Sequence, residues 1–103
     1  MKLPKDELIL ELYEEFVENW IKDVNEQFDE LVATKNTTDF YRLAHTLKGS
    51  GYQFEIPALG DKGVELMDLV KAENWEKIIP YKKDLLSILN DALNSYREYA
   101  AKK

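Results

Sequence analysis

Apolar residues recur every three or four positions along almost the whole chain. From Asp6 to about Ala33, the residues Leu8, Leu12, Phe16, Trp20, Val24, Phe28 and Leu31 keep that spacing, with Ile9, Tyr13, Val17, Ile21 and Val32 beside them. This pattern predicts an amphipathic helix, and because it exceeds the usual globular length, a bend or break is expected near Glu18 and Asn19. After the polar stretch Thr34 to Thr38, where Thr37, Thr38 or Asp39 can supply a capping oxygen, a second helix should run through FYRLAHTLKGSGYQF. Its core stripe is Phe40, Leu43, Ala44, Leu47, Gly51 and Phe54. Pro57 suits the first turn of a third helix, in which Leu59, Gly63, Leu66 and Val70 repeat before an end near Glu73. Asn74 can cap a fourth, carrying Ile78, Leu85, Leu89, Leu93 and Tyr96 and kinked early by Pro80. No segment alternates with a period of two, and no Asn-Gly or Asp-Gly turn is present. The expected fold class is all-α, an antiparallel up-down four-helix bundle whose N-terminal helix is bent or split.

Composition narrows what such a bundle can do. The 103 residues fit a single domain spanning 1–103, and no repeat or flexible linker offers a second boundary. A net charge of -6, with lysines and arginines scattered among acids, argues against nucleic acid as a partner. No run approaches the roughly 20 apolar residues of a membrane span. The N-terminus MKLPKDELILEL carries acids where a secretion signal needs a basic start and an apolar run, so a cytoplasmic monomer is the expectation. The chain has no cysteine, which removes disulfides, thiolate catalysis and cysteine-ligated metals. With one histidine, a zinc site would need mostly carboxylates, and the acids lie on solvated helix faces without an HExxH or similar spacing, which argues against a zinc enzyme.

That histidine, His45, is the informative residue. At ~100° per residue it lies roughly 140° from the core stripe of its helix and should face water. A lone histidine is ordinarily a satisfied core residue or an unremarkable surface one, but its neighbours give this one a chemistry. Lys48 at i+3 and Gly49 at i+4 share its surface, with Arg42 at i−3 on the other side. Neutral imidazole is a nitrogen nucleophile that needs no helper base for phosphoryl transfer, and Lys48 and Arg42 can neutralise arriving phosphate charge. Gly49 costs on the order of 1 kcal/mol inside a helix relative to Ala, and a bare backbone there would let a partner's active site approach the ring. Gly51, on the core stripe, reads instead as a close helix-packing site. Ser50 projects well round the helix from His45, so a Ser-His pair fails on geometry.

The segment AHTLKGSG, from Ala44 to Gly51, resembles the signature of histidine-containing phosphotransfer (HPt) domains, and PALGDKGVELMDLVKAENWEKI is similar to the helix packed against the histidine helix in that family. The resemblance implies His45 as phosphoacceptor, Lys48 as the cation beside the phosphate and Gly49 as the small residue permitting access. It implies a two-component phosphorelay in which response-regulator receiver domains and a sensor or hybrid histidine kinase are the partners. No cofactor is expected on this chain, and Mg²⁺ is expected on the receiver. With no GxxxxGK[ST] loop, the chain would be a phosphotransfer intermediate and not an autonomous kinase. Two positions depart from the family: Glu55 replaces a common glycine ten residues after the histidine, which suggests an altered turn, and Met67 replaces a Glu or Gln offered to the imidazole. Gln53 is a possible substitute for that group and Glu65 a weaker one. The competing reading is a non-catalytic helical adaptor in which His45 is incidental and the outward aromatics Tyr41 and Tyr52 carry binding. On the phosphotransfer reading the same tyrosines border the docking surface.

Overall fold

In the computed structural model, residues 2–102 are described, and among them every regular element is helical. Four long helices, α1 (Glu7–Ala33), α2 (Thr37–Gln53), α3 (Pro57–Lys71) and α5 (Tyr81–Ala101), are joined by short turns and one single-turn helix, α4 (Trp75–Ile78). No helix is long and apolar enough to cross a membrane among the described residues.

The ends of these helices follow from local chemistry. The Asp6 carboxylate accepts hydrogen bonds from the N–H groups of Leu8 and Ile9 at 2.9 and 3.3 Å, closing the start of α1. Asn36, and not Thr37, Thr38 or Asp39, caps α2: its side-chain oxygen accepts from the Asp39 N–H at 3.1 Å while its amide donates to the Asp39 carboxylate at 2.9 Å. The helix therefore starts one residue earlier than those candidates allow. Pro57 opens α3 and Asn74 caps α4, both as the sequence predicts. Pro80 has a stronger effect than the expected kink, because it separates α4 from α5 outright.

Three of the turns close identically. After α1, α2 and α3 come Lys35, Glu55 and Glu73, each in the left-handed region with φ of 50°, 58° and 53°. In each case this residue's N–H bonds the carbonyl three positions back, and the next N–H bonds the carbonyl five back, as for Glu55 to Tyr52 and Ile56 to Gly51. The turn at Glu55 thus closes as the turns after α1 and α3 do. It places a charged residue where glycine is conformationally easier.

Two expectations for α1 are corrected. The helix runs unbroken through Glu18 and Asn19 for 27 residues. It contains no Gly or Pro to interrupt it, Tyr13, Val17, Trp20, Val24 and Phe28 form one continuous buried row, and Glu18 is tied to Arg97 of α5 at 3.1 Å. Leu8 and Leu12, assigned by spacing to the core row, are instead 65% and 46% exposed. They lie on the flank turned away from Tyr13 and Val17, and Phe16, stacked on Phe54 with ring centroids 3.6 Å apart, is where that flank finds cover at the end of α2.

All five helices contribute to one buried apolar cluster, including Tyr13, Phe40, Leu59, Trp75 and Leu89. Phe28, Phe40 and Trp75 meet edge to face at one end of it. Helices α1 and α5 run in opposite directions, since Tyr13 stacks on Tyr96 near one end and Lys82 pairs with Asp29 at 2.7 Å near the other. Helices α2 and α3 are likewise opposed, with Gly51 against Gly60 and Lys48 against Gly63.

Candidate functional site

The α2–α3 seam positions the candidate site. A Cβ added to Gly51 would stand 2.5 Å from the Gly60 nitrogen, and one on Gly63 would stand 2.6 Å from the Lys48 nitrogen. Backbone meets backbone here, which leaves room only for glycine and fixes how α2 is rotated about its own axis. The close-packing role read for Gly51 is what the structure shows.

With α2 held this way, His45 is exposed and its neighbours fan out around it. Gly49 is also exposed, and a Cβ there would meet nothing within 4 Å. Lys48 is half-buried, its backbone under Gly63, and its ammonium makes no ion pair among the described residues. Arg42 is exposed and turns to Asp39, at 3.6 Å, one turn back along its own helix. On the side facing α1 an open groove of about 650 Å³ is lined by Trp20, Asp23, Leu31, Arg42, Leu43 and Thr46. The exposed imidazole thus lies on the face of α2 between the α3 seam and this groove.

No hydrogen bond or ion pair engages the imidazole among the described residues, and its one ring contact is Tyr41, one turn earlier, with centroids 6.4 Å apart and planes 29° from parallel. Gln53 is the last residue of α2, eight positions beyond His45 and so ~12 Å further along the axis, too far to orient the ring. Glu65 is engaged elsewhere: it accepts from the Tyr81 hydroxyl at 2.7 Å and pairs with Lys62 at 3.9 Å. That hydrogen bond, more than burial or the carboxylate's charge, pushes the Tyr81 phenol up to about 12. Met67 is partly buried against the core.

Tyr52 lies 43% exposed, its ring over Gly60 and its hydroxyl donating to Asp61 at 2.6 Å, a bond that raises its pKa. An apolar cavity of about 460 Å³ opens beside it, bounded by Leu3, Glu55, Ile56, Pro57 and Ala58. One further residue at the site was not evident from the pattern along α2. Lys71, in the last turn of α3, sets its ammonium 5.4 Å from the centre of the Tyr41 ring. Pairing Gly51 with Gly60 fixes an antiparallel register that carries position 71 to Tyr41, and that pairing is the signal that would have found it. No group of three or more His, Cys, Asp or Glu residues is placed to hold a metal ion among the described residues. Comparison with protein-family models, with curated proteins and with solved structures returns no match.

Proposed function

We propose that this chain is a histidine phosphotransfer protein of a cytoplasmic two-component phosphorelay, with its four long helices arranged as an antiparallel up-down bundle. The observation that supports it most is an exposed imidazole one turn from a glycine with open space above it and from a lysine that makes no ion pair among the described residues. In this reading, the lone pair of the unprotonated ring nitrogen of His45 attacks phosphorus of an aspartyl phosphate on a receiver domain. The new N–P bond forms as the acyl P–O bond breaks, and the aspartate carboxylate departs. The ring keeps its N–H proton and becomes a phosphoimidazolium, so no general base is consumed. Lys48 offsets the phosphoryl charge, with Arg42 able to join by releasing the exposed Asp39; Gly49 lets the acidic pocket of the receiver, with its Mg²⁺, reach the ring. Transfer onward is the same step reversed on a second receiver, and a sensor or hybrid kinase supplies the phosphate upstream.

The test is incubation with a phosphorylated receiver domain, followed by mass spectrometry of acid-labile phosphate. Label on His45, absent in His45→Gln, is the expected result; uptake by His45→Gln sinks the assignment. A second reading, a helical adaptor, is favoured by the fixed, exposed Tyr52 beside its apolar cavity. It requires that His45→Gln leave cellular output unchanged while Tyr52→Ala abolishes partner binding.

A further inference from the structure

We infer that Tyr41 is the positioning residue for the His45 imidazole, and that Lys71 of α3 clamps Tyr41 in place. The inference rests on the phosphotransfer reading and concerns what holds the ring. An exposed imidazole free about both side-chain torsions must be brought into line with the incoming phosphorus at every encounter, and prior orientation is where a positioning group acts. Gln53 is out of reach, Glu65 is committed to Tyr81 and Lys62, and Met67 offers only a thioether. Among the described residues, the one ring stacked on the imidazole is that of Tyr41, with centroids 6.4 Å apart. Tyr41 in turn is half-buried and carries the Lys71 ammonium 5.4 Å from its centroid, so one aromatic ring bridges α3 to the nucleophile. A stack limits rotation of the imidazole plane while leaving both nitrogens unencumbered, which a hydrogen bond to one of them would not.

The experiment compares two phosphodonors, a phosphorylated receiver domain and phosphoramidate, which docks against no protein surface and releases ammonia as its N–P bond gives way to the His45 N–P bond. Tyr41→Leu should slow labelling from both donors by between about two- and tenfold, the range to which loss of one aromatic pair converts. Tyr41→Phe and Lys71→Arg should stay near wild type. Lys71→Met should slow labelling less than Tyr41→Leu, and the double variant should be no slower than Tyr41→Leu alone. In NMR spectra, the carbon-bound ring protons of His45 should lose their ring-current shift in Tyr41→Leu but not in Tyr41→Phe. Slowing with the receiver alone would assign Tyr41 to docking and overturn the clamp, as would additive effects in the double variant or an unmoved ring-current shift. If wild-type protein takes phosphate from neither donor, the phosphotransfer reading falls and the inference with it.

Discussion

Helix α2 is bordered by two seams of opposite character. Toward α3 it is in backbone contact at Gly51 and Lys48, with no space for a single added carbon. Toward α1 it stands across an open groove of about 650 Å³ lined by Arg42, Leu43 and Thr46. His45 lies between the two, mounted rigidly by one and left accessible by the other. On the phosphotransfer reading, precision of the nucleophile and access of the partner are thus supplied by different neighbours, and each can be altered separately.

The tight seam should be the more sensitive. Gly63→Ala or Gly51→Ala should cost about 1–3 kcal/mol, because backbone and not a flexible side chain must yield; denaturant midpoints measure it, and an unchanged midpoint would mean that the helices are not in contact. Gly49→Ala should do the reverse, raising stability by up to about 1 kcal/mol from helix propensity alone while slowing transfer from a receiver domain. Destabilisation by this substitution would show the open face to be closed. Glu55→Gly, at the turn linking α2 to α3, should add about 0.5–1 kcal/mol: relief of left-handed strain outweighs the entropy that glycine brings to the unfolded chain. The smallest effect concerns the far side of α3, held to α5 by Tyr81 and Glu65. The folded-state pKa of Tyr81 is raised to about 12 from 10.0, so its stabilisation is complete below pH 10 and is lost as pH rises toward 12. Tyr13, raised to about 12 by burial, acts in the same direction. Thermal melts across that range should fall less steeply for Tyr81→Phe than for wild type.

Helix content was legible in the sequence because three- and four-residue spacing has one economical interpretation, and Pro57, Asn74 and Pro80 mark boundaries through steric and capping effects that depend on few neighbours. Exposure of His45 was legible for the same reason: Phe40, Ala44, Leu47 and Gly51 fix the inward direction of α2, and the histidine lies away from it. What failed was whatever depended on a neighbour's length or position. Leu8 and Leu12 have the right spacing for a core, but the flank they occupy is left uncovered. The unbroken course of α1 depends on a partner helix that ties down Glu18. Asn36 is hard to read as a cap because it also closes the turn after α1, where its N–H bonds the Leu31 carbonyl at 3.0 Å. Lys71 is 26 positions from His45, and only the glycine pairing between helices brings it near.

The glycine contacts of α2 with α3 also bear on timing. Turning the histidine helix by even a fraction of a residue would drive main chain into main chain, so the α2–α3 contact holds His45 in one setting. On the phosphotransfer reading proposed above, when phosphate moves would then be decided by the supply of charged and uncharged partners: this chain would conduct, and the switches would lie at either end of the line.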